Sequence, residues 1–537
     1  MYRMILNETS YFGAGCRESI AVEAARRGFK NQFGGYNHNE YAGDGEIWDM
    51  ENMSSDLYPL LSPRGPRYQL RRLTKPNGLH AREGLYWVDG TGLYKDGALL
   101  AEVADGPKKW VSMGKRLLLW PDKVFCDTVS GEVGSLEAGW EGSALIRDGS
   151  YAGVPAKANT IYAQGAAWEE LFRVGDAVTV SGCKAHAGNN KTAIVREIDG
   201  DELRFYENGF EISEGGDTEQ LSIRREVPDL ELVCQHEGRL WGCMGDTIFA
   251  CKLNDPTNWS VYDGLTDDSY FVQVPSPGAF TGCCSYRGYV YFFKEDHIYR
   301  VYGDRPSNFQ VMDSAGIGVD GGSEGSLAIA GETLFYLSRT GVMAYTGGVP
   351  QSIAAPFGTE RYRGAVAGSD GVKYYISMED AYGMWHLFVY DTRTGQWHRE
   401  DSTRAVAITW LDGLYCLTSE GGLWLSGGEA PQGAEAEIGP FAWAEFGDFV
   451  EADPNKKGVS KLQLRLELHE GAMVDVLIQF DSDGIWRNVK TLTALKKRSW
   501  YLPIVPRRCD HFRIMVQGYG KWILHSLVRE SYSGSEM

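Results

Sequence analysis

Carboxylates are the commonest charged groups of this chain, and they are the groups that a glycoside hydrolase uses. Asp and Glu supply 72 of its 537 residues, and hydrolysis needs two carboxyl groups placed about 5 or about 9 Å apart. No spacing in the sequence selects such a pair. The run Ser-Asp-Gly-Ile-Trp at 482–486 differs in spacing from the Asp-box of sialidases, so it predicts a hairpin turn with a packed tryptophan. We therefore name no catalytic residue.

Other reactive motifs are missing as well. Asp481 and Asp483 could suggest calcium, but the following residues do not continue an EF-hand loop, which needs a glutamate at its twelfth position. The ten histidines include no metal-binding spacing, and His386 and His398, which flank a hairpin, are predicted to be strand or surface residues. Neither a phosphate-binding loop nor a nucleophile elbow occurs. The sequence predicts no metal, no cofactor and no enzyme activity.

Cysteine usage and hydropathy indicate the cellular compartment in which the protein is made. Ten cysteines are scattered, with Cys283 and Cys284 as the only close pair and no Cys-x-x-Cys spacing, which is typical of buried free thiols. No run of about 18 apolar residues predicts a transmembrane helix, and residues 1–8 lack the apolar core of a signal peptide. These features predict a protein made in the cytoplasm.

The net charge is −19, which argues against a protein that reads nucleic acid through a basic surface. A passage lined with acids could still let a DNA duplex pass without adhering, because each Lys or Arg contact would hold it. Alternatively, the acids only keep a large surface in solution. Residues that bind nucleic acid are unknown.

A repeated strand pattern predicts the architecture. Each copy is a glycine followed within a few residues by an aromatic and aliphatic strand, and in most copies a second strand starts eight residues later. The copies begin at Gly84, Gly114, Gly238, Gly288, Gly331, Gly371 and Gly413. From Gly238 the steps are 50, 43, 40 and 42 residues, as four-stranded propeller blades require. The prediction is an all-β chain with a β-propeller of six to eight blades, seven favoured, over residues 71–149 and 226–428; the alternative is a large β-sandwich of unrelated hairpins.

The step from Gly114 to Gly238 is 124 residues, which exceeds one blade by roughly 75 to 80 residues. Residues 150–225 contain their own short strands and turns, so they predict a small SH3-like or OB-like β-barrel inserted in a blade. Such barrels can bind nucleic acid through aromatic and basic residues. Here Lys184, Lys191 and Arg196 stand among many acids, which favours a contact module.

The two ends differ from the repeats. After the Gly-rich and Ala-rich stretch 427–439, interpreted as a linker, Leu462, Leu464, Leu466 and Leu468 alternate with polar residues. This period of two predicts a C-terminal β-sandwich over 440–537. Residues 1–70 predict an extended arm with a short helix over 18–26, ended by Gly28. The arm packs on a neighbouring subunit or runs along the propeller; both remain open.

Segments at both ends resemble a known group of proteins. The runs Phe-Gly-Gly-Tyr-Asn-His at 33–38, Asp-Gly-Glu-Ile-Trp-Asp-Met-Glu-Asn-Met at 44–53 and Tyr-Pro-Leu-Leu-Ser-Pro-Arg at 58–64 resemble the opening of virion proteins from phages and prophages of Gram-positive bacteria. Residues 460–462, 481–486 and 502–513 resemble the end of the same group. The architecture is similar to tail hub or nozzle proteins of short-tailed phages, whose propellers surround the DNA exit channel.

The resemblance implies a structural virion protein of the tail, made in the host cytoplasm. It implies a homo-oligomeric ring, other tail and connector proteins as partners, and genomic DNA only as passing cargo. A second hypothesis is a host-recognition protein that binds carbohydrate through exposed aromatics such as Trp259 and Tyr262. A third is a propeller glycoside hydrolase.

Overall fold

The computed structural model describes residues 26–39, 43, 46–151, 154–206, 209–213, 217–428, 430–450, 456–493, 497–505 and 507–533. Antiparallel β-strands dominate these residues, and the one α-helix described, Trp168–Leu171, is four residues long. The all-β prediction is confirmed. Most of the predicted helix over 18–26 lies outside the described residues, but its last residue, Arg26, begins the strand Arg26–Lys30 instead.

Seven antiparallel sheets follow one another and carry the repeats. We number them one to seven in the chain order of the repeated glycines. Sheets one to three consist of Pro76–Ala81, Leu85–Asp89, Gly92–Lys95 and Ala98–Glu102; Lys109–Met113, Arg116–Trp120, Val124–Asp127 and Val133–Ser135; and Leu232–His236, Arg239–Met244, Thr247–Ala250 and Tyr270–Gln273. Sheets four and five consist of Gly282–Tyr286, Tyr289–Phe293, His297–Tyr302 and Gln310–Ala315; and Ala328–Ala330, Thr333–Ser338, Gly341–Tyr345 and Gln351–Ser352. Sheet six consists of Tyr362–Ser369, Lys373–Asp380, Trp385–Asp391 and Gln396–Asp401.

Sheet seven joins distant parts of the chain. Its strands Ala405–Trp410, Leu414–Thr418 and Gly422–Ser426 are followed in space by Arg67–Arg72, and this strand also pairs with Glu435–Ala436. The stretch 427–439, interpreted as a linker, therefore includes a strand.

The repeated glycines mark the turn between the first two strands of a sheet. Six of the seven have a positive φ, and two-residue turns such as Glu237-Gly238 and Arg287-Gly288 have positive φ at both positions. Hairpin turns of this kind match the twist of the strands and favour glycine at the second position. The predicted hairpins that start at Leu85 and Leu240 are confirmed.

Neighbouring sheets pack face to face along the series. The strand Ala405–Trp410 of sheet seven contacts Tyr362–Ser369 of sheet six and Pro76–Ala81 of sheet one, so the last sheet meets the first. Apolar side chains fill the spaces between sheets, as where Trp87 of sheet one joins Leu417 of sheet seven. Because both faces are covered, inner strands are almost continuously apolar, and Leu117, Leu118 and Leu119 are all buried.

A closed six-stranded barrel lies between sheets two and three in the sequence. Its strands are Ala138–Tyr151, Val154–Tyr162, Ala177–Ser181, Thr192–Asp199, Glu202–Phe205 and Glu219–Arg225. Trp168, Phe172 and Phe205 are buried in its core. The barrel starts at Ala138 rather than at 150, because the first half of the long strand Ala138–Tyr151 pairs with Glu219–Arg225.

Two five-stranded sheets, A and B, combine both ends of the chain. Sheet A contains Arg26–Lys30, Trp522–Ser533, Lys457–Leu468, Arg498–Pro503 and Arg508–Cys509. Sheet B contains Ile47–Glu51, Ala442–Phe446, Phe512–Tyr519, Met473–Phe480 and Arg487–Leu492. The four leucines predicted to face one side, Leu462 to Leu468, are buried between them. We call sheets A and B together the two-sheet unit.

The described part of the N-terminal arm packs on its own chain. Phe33, Tyr36, Ile47 and Met50 are buried in the same core as sheets A and B and sheet six. The two-sheet unit therefore consists of strands from Ala442 onward together with the strands Arg26–Lys30 and Ile47–Glu51 of the arm. Among the described residues, no helix has the length and apolar character that a membrane span requires.

Candidate functional site

The two aromatics proposed for sugar stacking have different environments. Trp259 is only 3% exposed, and its indole nitrogen donates to the carbonyl oxygen of Pro256 at 2.9 Å. Tyr262 is 51% exposed and its ring contacts that of Phe271 edge-on. The prediction that Trp259 is exposed is wrong, because apolar side chains of sheets two and three cover its ring and its own turn supplies the acceptor.

Tyr262 lines a cleft with a volume of about 790 Å³, which lies between the barrel and sheets two and three. The cleft is amphipathic: Met244, Phe249 and Trp140 supply apolar surface beside charged side chains. Several of these charges are paired with each other. Lys123 lies 2.7 Å from Glu137 and 2.6 Å from Asp229, and Arg224 lies 2.5 Å from Glu141.

A second cavity of about 410 Å³ lies where sheets six and seven meet the segment 54–67. Two buried arginines of that segment hold it in place. Arg64 donates to both carboxylate oxygens of Glu437, at 2.8 and 2.9 Å. Arg67 donates to Asp401 at 2.6 Å and to Glu400 at 2.5 Å. Paired, forked geometry of this kind is specific to arginine.

Further ion pairs continue around this cavity. Lys373 donates to Asp56 at 2.6 Å, and buried Asp391 accepts from Ser55 at 2.6 Å and from Arg393. Burial alone would raise the pKa of Asp56, but the Lys373 hydrogen bond and charge lower it overall. The pKa of Asp391 is likewise held low, chiefly by hydrogen bonds from Arg393 and Ser55 that outweigh its burial. Such carboxylates stay ionised, so they cannot serve as a general acid.

Carboxyl groups with a raised pKa lie elsewhere. Burial raises the pKa of Asp49 and of Glu445, which are cross-strand partners in sheet B. Arg399 of sheet six lies 3.3 Å from Asp49, and Arg513 lies 3.0 Å from Glu445. This pair stands where sheet six packs on the two-sheet unit and lines neither cavity. It is therefore part of an internal contact, not of a substrate cleft.

The histidines do not meet as a metal pair. His386 lies in a strand with its Nε2 3.0 Å from Asp380, and His398 is buried in the next strand. Within the described residues, Asp481, Asp510 and His511 form a group whose possible ligand atoms lie within 4.8 Å of one another. The sequence could not reveal this group, because Asp481 lies 29 residues before Asp510. Asp483 instead pairs with Arg487 at 2.7 Å.

The thiols and the basic residues of the barrel serve internal contacts. All nine described cysteines are free, as predicted, and six are buried. Lys191 donates to the carbonyl oxygen of Gly209 at 2.6 Å and lies 4.3 Å from the centre of the Phe210 ring. The Arg196 guanidinium lies 5.3 Å from the centre of the Tyr206 ring. These side chains form no basic footprint for nucleic acid.

Comparisons with known proteins give only distant similarities. No protein-family model and no curated protein matches the chain. A chain in the crystal structure of a mitotic checkpoint complex is 8% identical, covering 79% of this chain and 100% of its own length, with a TM-score of 0.30. An exo-β-1,3-galactanase from Phanerochaete chrysosporium is 8% identical, covering 55% and 96%, with a TM-score of 0.19. An engineered GH43 glycoside hydrolase is 11% identical, covering 57% and 97%, with a TM-score of 0.19. Similarities at these TM-scores decide neither the fold nor the function.

Proposed function

We propose that this chain is a structural, non-enzymatic protein of a phage tail, a hub or nozzle subunit that forms a ring around or beside the DNA exit channel. The protein is synthesised in the host cytoplasm and is then located in the tail of the virion. Other tail and connector proteins are its partners, and DNA passes as cargo. The sequence resemblance at both ends motivates this proposal, and the way those two ends fold together supports it.

We further propose that the seven sheets are the blades of a seven-bladed β-propeller. Seven consecutive antiparallel sheets, packed face to face with the last against the first, support this architecture. The strand Arg67–Arg72, which completes sheet seven from the N-terminal side, supplies the closure that such a ring needs.

The observation that carries the proposal is the course of residues 46–72, which include much of the N-terminal resemblance. Ile47–Glu51 is a strand of sheet B, and Arg67–Arg72 is a strand of sheet seven. Between them, Arg64 is paired with Glu437. One segment therefore fastens the seven sheets to the two-sheet unit through backbone pairing and buried ion pairs. A rigid wall built in this way suits a mechanical role.

The DNA path in this proposal runs between subunits. Lys109 of sheet two lies 3.8 Å from Glu324, in the turn Glu324–Ser326 that precedes sheet five. These positions are not neighbours along the series of sheets, so in the proposed propeller the pair spans the central channel of one chain. A passage that two side chains can bridge is far too narrow for a DNA duplex, whose major groove alone is about 12 Å wide.

The test is the assembly state of the full chain. Mass measurement and negative-stain imaging of the purified protein, alone and mixed with particles of its own phage, should reveal a closed ring or added density at the portal end. A chain that stays monomeric with its connector partner and ignores the virion would contradict the proposal.

A further inference from the structure

We propose that the outer face of sheet A binds an acidic polysaccharide, a function beyond the mechanical role proposed above. The site is a row of four side chains that crosses the sheet, which we call the aromatic row: Phe29, Val528, Gln463 and Tyr501. The proposal rests on the register of these residues, on their exposure and on the charges beside them.

The register aligns the aromatic row across four strands. Phe29 pairs with Val528, Val528 with Gln463, and Gln463 with Tyr501. Phe29 and Tyr501 thus stand at the two ends of the row, separated by three strand spacings, or about 14 Å. Val528 and Gln463, which are both partly exposed, lie between them.

Both rings of the row are open to solvent. Phe29 is 64% exposed and Tyr501 is 59% exposed, whereas Leu462 and Leu464 on the opposite face are fully buried. Exposed aromatics on a flat polar surface are the groups that stack on the apolar faces of sugar rings. Within the described residues, the Gln463 side chain has no hydrogen-bond partner, so its amide is available to sugar hydroxyls.

The rows on either side of the aromatic row carry more cations than anions. Arg27 and Lys461 lie on one side, and exposed Arg465 lies on the other. Glu530 is the single acid among them, and Arg27 pairs with it at 3.2 Å. Lys461 lies 5.0 Å from the centre of the Tyr501 ring. The aromatic row and the two rows beside it therefore carry three cations and one anion, on a chain whose net charge is −19. A second acid, Glu467, lies one row beyond Arg465 on the same face and pairs with His525 at 3.2 Å.

A shallow cavity of about 250 Å³ occupies the same face. It is lined by Arg27, Lys461, Gln463, Tyr501, Val528 and Glu530. The local excess of positive charge complements carboxylate or phosphate groups along a glycan. Charge complementarity thus selects an acidic polysaccharide over a neutral one.

The experiment titrates the full chain with oligogalacturonate as the acidic probe and with a neutral β-glucan oligomer, by calorimetry at low and at physiological salt. We expect binding of the acidic probe that weakens as salt increases, because the charges are exposed. Phe29→Ala and Tyr501→Ala should each weaken binding by about tenfold, since each removes one stacking surface. Tyr382→Ala is the matched control, because Tyr382 is 93% exposed in a turn of sheet six.

A double variant, Lys461→Gln with Arg465→Gln, separates charge from stacking. It should reduce the salt dependence of binding while leaving the melting temperature of the protein unchanged. Absence of binding to the acidic probe, preference for the neutral probe, or an equal loss in the Tyr382→Ala control would each overturn the proposal. Ring assembly is read out separately by mass, so this test can fail while the proposed tail function holds.

Discussion

At the scale of single residues, buried ionisable groups determine how the protein responds to pH. His398 is buried in sheet six, and burial, aided by the charge of Lys373, lowers its pKa to about 4. In the unfolded chain this histidine binds a proton as the pH falls below about 6.5. In the folded chain it stays neutral until about pH 4. Stability is therefore complete above about pH 6.5 and falls as the pH decreases toward 4.

We predict that His398→Gln flattens the acid side of the stability profile. The substitution should remove an acid-dependent loss of unfolding free energy on the order of 3 kcal/mol. This follows from a difference of about 2.5 between the ordinary pKa of histidine and the pKa of His398 in the folded chain. Urea unfolding from pH 4 to pH 7.5 measures the slope, and His469→Gln, at a partly exposed site, is the control. An unchanged slope in His398→Gln would contradict the assignment.

Arg67 is predicted to be the most sensitive charged residue of the arm. Its side chain is 9% exposed, and it pairs with Glu400 and Asp401. Arg67→Ala leaves poorly hydrated Glu400 without its cation and leaves Asp401 with only Arg64, at 3.6 Å, which costs about 3 to 5 kcal/mol. Thermal unfolding should reveal this loss, whereas Arg72→Ala, at an exposed position of the same strand, should stay within about 0.5 kcal/mol of the parent. Equal effects of the two substitutions would contradict the prediction.

At the scale of elements, the strand that completes sheet seven should be among the stable edges. Arg67–Arg72 pairs with Gly422–Ser426 on one side and with Glu435–Ala436 on the other. Its amides should exchange with solvent slowly, because opening must break both pairings. Hydrogen exchange can compare it with Gln351–Ser352, an outer strand of sheet five that is paired on one side. Similar rates for both strands would contradict this prediction.

The barrel should be removable without loss of the sheets. Ala138 and Arg225 are cross-strand partners, so the entry and exit of the insertion lie side by side. Replacing 138–225 by a short Gly-rich turn keeps the connection between sheets two and three. Asn258 then loses its hydrogen bond to buried Asp176 of the barrel, which costs about 1 to 3 kcal/mol. We expect a modestly lower melting temperature with native-like circular dichroism; loss of cooperative unfolding would contradict it.

Local patterns predicted local elements well. The hairpins of the sheets can be predicted from the sequence, because a two-residue turn that contains glycine separates two apolar strands, as at Gly238 and Gly288. The strands Arg26–Lys30 and Ile47–Glu51 gave no such signal, since their partners lie near the other end of the chain. Trp259 misled for a related reason: its Asn-Asp-Pro turn is typical of a surface loop, but the indole folds back onto Pro256.

Sites were harder to predict than elements. The aromatic row could not be recognised beforehand, because Phe29, Gln463 and Tyr501 meet only through pairing between distant strands. The same holds for the ion pairs of Arg64 with Glu437 and of Arg67 with Asp401, whose partners are more than 300 residues away. Charged side chains carry no periodic signal that would name a partner at such separation.

At the scale of the whole molecule, the two ends of the chain form one folding unit. Phe33, Tyr36, Ile47 and Met50 of the N-terminal arm are buried among the residues of sheets A and B. The fragment 440–537 therefore lacks the edge strands Arg26–Lys30 and Ile47–Glu51 and exposes the apolar surface that they cover. Exposed apolar surface and an open sheet edge favour aggregation over a cooperative fold.

We predict that the isolated fragment 440–537 does not unfold cooperatively, and that a peptide spanning 26–54, added in trans, restores a cooperative transition. Circular dichroism melts of the fragment with and without the peptide measure this. A matched peptide with Ile47→Asp and Met50→Asp should fail, because both side chains are fully buried and an unpaired buried carboxylate is costly. A fragment that folds alone, with a transition unaffected by the peptide, would mean that the arm only decorates the two-sheet unit; the arm could then not act as the fastening between that unit and the seven sheets.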